Sequence, residues 1–70
     1  MEELEKNALR NELEFFESKG IRFSMEGYPA QCDEILEDML LNDNNCTYMR
    51  NYVFQGAKIV EINFNKIRLY

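Results

Sequence analysis

Residues 47–64 read TYMRNYVFQGAKIVEINF, two runs of aromatic and branched side chains on either side of Gly56-Ala57. Such side chains fit a pleated, half-buried surface, and a glycine in the first central position marks a tight two-residue hairpin turn. With Gly56-Ala57 as that turn, Gln55 faces Lys58. An unbroken ladder then sets Val53 against Val60, Asn51 against Ile62 and Met49 against Phe64. One face carries Met49, Val53, Val60, Ile62 and Phe64, interrupted by Asn51. The other carries Tyr48, Arg50, Tyr52, Phe54, Ile59, Glu61 and Asn63. Side chains alternate with a period of two, so a slip of one residue exchanges these sets on one strand. Past Phe64 the apolar positions change parity, with Ile67 and Leu69 odd, which predicts a bulge or turn near Asn65-Lys66.

Upstream of the hairpin, PAQCDEILEDMLLND (29–43) reads as an amphipathic helix. Cys32, Ile35, Leu36, Met39 and Leu40 form one stripe, while Asp33, Glu34, Glu37 and Asp38 line the other side. Pro29 can open this helix because its missing N–H would be unsatisfied there anyway. The Asn42-Asp43-Asn44-Asn45 cluster ends it and makes a loop. Before it, IRFSM (21–25) alternates Ile21, Phe23 and Met25 with Arg22 and Ser24, the period of a half-buried strand, and Glu26-Gly27-Tyr28 turns the chain.

The first segment, EELEKNALRNELEFFESKG (2–20), is a second amphipathic helix with an unusually wide apolar face. At 100° per residue, Leu4, Ala8 and Phe15 lie on one flank and Leu9, Leu13 and Phe16 on the other. Glu12 falls between them. A buried, unpaired carboxylate is costly, so Glu12 must sit at an edge, pair with a base, or mark where the face divides between two partners. Glu2, Glu3 and Glu5 at the start and Lys19 at the end complement the helix dipole, and Gly20 suits the left-handed position that follows a helix. The expected architecture is α+β: two amphipathic helices on one face of a small, mostly antiparallel three-stranded sheet, in the order α-β-α-β-β, with residues 1–70 forming a single small domain.

Seventy residues supply a small core, rarely more than about 3–5 kcal/mol at this length, so a homodimer is one expectation. Hydrophobic residues make up 46% of the chain, which sets it apart from a disordered tail despite 30% charge. No apolar run is long enough for a membrane helix, and the acidic start MEELEKNALR is the opposite of a signal peptide. The expected location is cytoplasmic, with Cys32 and Cys46 as free thiols. The net charge of −5 is uneven. Residues 1–43 hold twelve acids and four bases, residues 44–70 one acid and four bases. The first part repels phosphate, which argues against general nucleic-acid binding.

Chemistry-bearing motifs are sparse. The chain has no histidine, the usual general base near neutral pH. Its two cysteines lack zinc-ligand spacing, and Cys32 lies on an apolar stripe where a core thiol belongs. The acids of the second helix match a solvated face, and Asp43-Asn44-Asn45 lacks the glycine and final glutamate of a calcium loop. The reading is therefore no enzyme, no catalytic residue, no metal and no cofactor. What stands out is the aromatic set Tyr48, Tyr52 and Phe54, with Arg50 and Arg22, on the sheet's second face. Cross-strand neighbours or the chain end from Ile67 to Tyr70 could account for it structurally. Tyr and Arg are also enriched at binding hot spots, which makes these five residues the candidate interaction surface for a protein partner or a second copy. The alternative is a nucleic-acid-related protein: a weak single-strand binder stacking bases on that face, or an acidic mimic using the second helix.

GYPAQCDEIL (27–36) and TYMRNYVFQGAKIVEINFNKI (47–67) resemble short uncharacterised proteins of Gram-positive bacteria and their mobile elements. The shared pattern is a Gly-x-Pro-Ala entry to a helix and a Tyr-Met-x-x-Tyr-Val hairpin ending near Phe-x-Lys-Ile. Here these positions are Gly27, Pro29, Ala30, Tyr48, Met49, Tyr52, Val53, Phe64, Lys66 and Ile67, over roughly the last two-thirds of the chain. The resemblance implies a bacterial setting and carries no reaction, cofactor or catalytic residue. Taken together, the chain reads as a small non-catalytic interaction module, regulatory or accessory.

Overall fold

The computed structural model describes residues 3–42 and 45–69. Glu2, Tyr70, and Asp43 and Asn44 of the polar loop lie outside the described residues. The elements are α1 (Glu3–Ser18), β1 (Arg22–Met25), β2 (Tyr28–Ala30), α2 (Cys32–Leu41), β3 (Cys46–Gln55) and β4 (Lys58–Arg68). They form an α+β fold with both helices packed on one face of a four-stranded mixed sheet, in the order β2-β1-β4-β3. The two outer pairs are antiparallel and the central β1–β4 pair is parallel.

The three-stranded sheet expected from sequence therefore gains a strand. Pro29 does not open α2: it lies in β2, opposite Ser24 of β1. Proline is admissible there because an edge strand has one side without ladder partners. Glu26 and Gly27, both at positive φ, form the two-residue turn between β1 and β2. Helix α2 starts at Cys32 after Gln31, whose N–H donates to Glu34 Oε1 at 3.1 Å and so loses one of the unpaired donors of a helix start. At the far end of α1, the N–H groups of Gly20 and Ile21 donate to the carbonyls of Glu17 and Phe16, closing the helix by the paired bonds of a left-handed cap.

The core is one cluster: Leu13 from α1, Phe23 from β1, Cys32, Ile35, Leu36 and Met39 from α2, and Ile62 and Phe64 from β4. Of the stripe read on α2, Cys32, Ile35, Leu36 and Met39 are buried and Leu40 is half-buried. Of the two apolar flanks of α1, Leu13 is buried, with Leu9 and Phe16 packed against the cluster, while Leu4, Ala8 and Phe15 are exposed. Each fully buried large side chain contributes about 1.5–3 kcal/mol, and Phe64, Leu13, Ile35, Leu36 and Ile62 are the largest of them.

Hairpin register is where the structure departs most from the sequence reading. The turn is as expected: Gly56 has φ +66°, open to glycine at little cost, and Gln55 pairs with Lys58. Phe54 then pairs with Ile59 but Val53 with Glu61, so Val60 is an extra residue bulging out of β4. From there every pairing is shifted. Asn51 faces Asn63, Met49 faces Asn65, Tyr52 faces Ile62 and Arg50 faces Phe64. Tyr48, Arg50, Tyr52 and Phe54 thus share the helix side of the sheet, and Met49 and Val53 move to the open side, reversing the expected facing of β3. The bulge expected near Asn65-Lys66 is absent: β3 and β4 stay in register there, and Ile67 pairs with Thr47 on the open side, half-exposed.

Candidate interaction surface

The five residues singled out from sequence do not form one patch. Arg22 pairs with Glu61 across β1–β4 and so belongs to the open face, away from the other four. Tyr48 and Arg50 are tied to the helices. The Tyr48 hydroxyl donates to Asp38 Oδ2 at 2.7 Å, Lys66 Nζ donates to Asp38 Oδ1 at 3.1 Å, and Asn42 Nδ2 donates to the Asp38 carbonyl at 2.9 Å. Asp38 thereby fastens the end of α2 to both strands of the hairpin, and it is withdrawn from the acidic face that an acidic mimic would present. Burial, reinforced by the bond to Asp38 and its charge, raises the Tyr48 pKa well above the ordinary tyrosine range.

Arg50 lies with its guanidinium 5.5 Å from the centre of the Phe64 ring and donates to Glu12 of α1. That bond raises the Arg50 pKa, with burial opposing. Glu12, the carboxylate that interrupted the apolar face of α1, is thus an edge residue paired with a base on β3. Arg50 is consumed inside the fold and is not a free cation for a phosphate or a base.

Tyr52 and Phe54 differ from these two. They lie nearer the hairpin turn on the same side and remain 44% and 60% exposed. On the open face, Met49 and Val53 are 49% and 43% exposed. β3 therefore offers apolar side chains on both of its faces. The neighbouring strands differ: between Glu61 and Asn65 of β4, and beside them on β1, the open face is polar, and Ile67 lies farther along. On the open face of β1 and β4, Ser24 Oγ lies 2.7 Å from Asn63 Oδ1 and 3.1 Å from Glu61 Oε2. Asn63 Nδ2 donates to Asn65 Oδ1 at 3.0 Å, and the Gly27 N–H donates to Asn63 Oδ1 at 3.0 Å. The polar groups of that stretch satisfy one another.

The two edges of the sheet are also unequal. β2 has three residues, one of them proline, which is how folds blunt an edge against pairing with other chains. β3 has ten residues, no proline, and Arg50 as its single charged side chain. Among the described residues, no strand lies beside its second backbone edge. Met49, Val53 and this open edge are the functional candidates that alternation alone did not identify. The signal available in the sequence was that both parities of residues 48–54 are apolar, so both faces of this strand expose apolar area whichever register holds.

Burial raises the Cys32 thiol pKa, with Glu17 and Asp33 adding to the effect, which fits a core thiol. Among the described residues, no helix is long and apolar enough to cross a membrane. No family model matches the chain, and no curated protein or solved structure does.

Proposed function

We propose that this chain is a non-catalytic protein-interaction module of the cytoplasm, regulatory or accessory in role, that docks extended segments of partner proteins along the free edge of β3. The observation that carries this reading is the character of that edge: ten residues without proline, with one charged side chain already matched by Glu12. Exposed apolar groups flank it on both faces, Tyr52 and Phe54 on one and Met49 and Val53 on the other. Strand addition draws affinity from main-chain hydrogen bonds and selectivity from alternate side chains, and β3 offers both. The free thiols Cys32 and Cys46 support a reducing compartment.

Selection of linear peptides from a displayed random library, followed by amide hydrogen exchange on the complex, tests this. The expected ligands carry apolar residues at alternate positions, slow exchange along β3, and bind with little dependence on salt. Val53→Lys should weaken them all. Ligands that seat on the helices, or an oligonucleotide that binds with the steep salt dependence of phosphate contacts, would overturn the proposal.

A further inference from the structure

We propose that the segment docked on β3 is β3 of a second copy, paired antiparallel about a two-fold axis through Asn51. This rests on the reading of β3 as a docking edge and names its occupant.

Two observations point to a second copy rather than a foreign strand. The first is self-complementarity. A two-fold axis joining antiparallel edges stands perpendicular to the sheet, so each register is centred on one residue facing itself. Centring on Arg50 would oppose two like charges, which destabilises a directly facing pair. Centring on Tyr52 sets Arg50 against Phe54 and Asn51 against Val53, while centring on Met49 carries Val53 and Phe54 past the partner strand. Centring on Asn51 aligns Thr47 to Gln55 throughout. Met49 meets Val53 on the open face, Tyr48 meets Phe54 and Arg50 meets Tyr52 on the helix face, and the two Asn51 amides meet each other. Met49, Val53 and Phe54 then each face an apolar or aromatic neighbour, and Tyr52 faces the aliphatic stem of Arg50.

The second observation lies on α1 and does not depend on the register. Arg10 pairs with Asp33 of α2 at 3.2 Å, and Glu12 pairs with Arg50 of β3. Those two contacts orient the helix: the Arg10 side faces α2 and the Glu12 side faces the open edge. Going round at 100° per residue, Leu4, Ala8 and Phe15 lie beyond Glu12, on the side away from α2. Leu4 is 80% and Phe15 58% exposed. The flank of α1 that the core leaves uncovered therefore lies on the β3 side of the helix. A two-fold axis perpendicular to the sheet keeps both helical layers on the same side and turns these flanks toward each other over the new seam. Glu12 divides the apolar face of α1 into a part for its own core and a part for the second copy. Charge permits the strand contact, since β3 carries only the matched Arg50.

Sedimentation of the wild-type chain across a concentration series should show a reversible dimer. In a Cys46→Ser background, Asn51→Cys should form a disulfide-linked dimer on mild oxidation, because only the residue on the axis faces itself. Tyr52→Cys should not. Val53→Lys and Phe15→Glu, one from each observation, should each raise the dimer dissociation constant about tenfold or more while leaving the monomer's unfolding midpoint near that of wild type. A chain that stays monomeric at every concentration overturns the second copy, and if it still binds linear peptides along β3 the docking edge itself stands. A dimer whose β3 amides exchange freely overturns both readings. A dimer in which Tyr52→Cys cross-links as readily as Asn51→Cys overturns the register.

Discussion

β3 and β4 are joined by two residues and run side by side for most of their length, yet they belong to different environments. β4 is central, with β1 on one side and β3 on the other, and its Ile62 and Phe64 are fully buried. β3 has one neighbouring strand among the described residues, and from Asn51 to Gln55 every side chain is exposed. Alternation predicts facing well for β4, where only one parity between Ile62 and Lys66 is apolar. It is silent for β3, where Met49 and Val53 compete with Tyr48, Tyr52 and Phe54. A strand whose two faces are equally apolar takes its facing from its neighbour's bulge, not from its own pattern.

That contrast has an energetic form, and the largest expected effect tests it. Phe64 is fully buried, tilted on Phe23 at 6.2 Å between ring centres, with Arg50 over its ring. Phe64→Ala should cost about 3–5 kcal/mol, comparable with all the stability a core of this size supplies, so the variant should be largely unfolded in denaturant titration. Met49→Ala, on the neighbouring strand and half-exposed, should stay within about 0.5 kcal/mol of wild type in dilute, monomeric solution. Equal losses at the two positions would mean that β3 is as deeply built into the fold as β4.

The same contrast explains which parts of the structure were readable beforehand. Both helices, the buried stripe of α2, the hairpin turn and the burial of Ile62 and Phe64 follow from periodicity and turn chemistry. β2 was hidden because Pro29 has two good uses, a helix start or an edge strand, and neighbouring residues do not choose between them. The register was hidden because a bulge is a one-residue event: Val60 is as apolar as its neighbours, and nothing local distinguishes an inserted valine from an alternating one. Four of the five candidate site residues consequently kept their strand but changed sides. Two of them, Tyr48 and Arg50, proved to be tethers to the helices, and Tyr52 and Phe54 kept exposed area at the open edge.

A smaller effect examines the tether at Tyr48. Its hydroxyl is bonded to the Asp38 carboxylate, and hydrogen bonds to charged groups contribute about 1.5–3 kcal/mol. With Lys66 and Asn42 still holding Asp38, Tyr48→Phe should lose about 1–2 kcal/mol. The pH dependence has a definite sign. The folded-state pKa of Tyr48 is raised above its ordinary value of 10.0, so the folded state retains the proton that the unfolded state releases. Its contribution is complete below that value and is lost as pH climbs above it. Urea midpoints should therefore fall more steeply above pH 10 for wild type than for Tyr48→Phe. Parallel profiles would mean that the hydroxyl is not in the folded interior, and that β3 faces the other way.

Deleting Val60 should cost less than either the Phe64 or the Tyr48 change, and it tests the bulge directly. Above and below the bulge the pairs are Phe54 with Ile59 and Val53 with Glu61. Removing the residue between Ile59 and Glu61 joins those pairs into an unbroken ladder without changing any of them. Ile59 keeps its place against the core, Ile62 and Phe64 keep theirs, and Tyr48 stays opposite Lys66. The loss is one half-buried valine and some local twist, about 1 kcal/mol. In the unbulged register that simple alternation favours, the same deletion would turn every residue of β4 beyond it to the wrong face and unfold the chain. A Val60-deleted protein that folds and retains the wild-type loss of stability above pH 10 keeps Tyr48 on Asp38, and with it the assignment of β3's faces. One that fails to fold would return Met49 and Val53 to the core side and remove the apolar open edge on which docking depends.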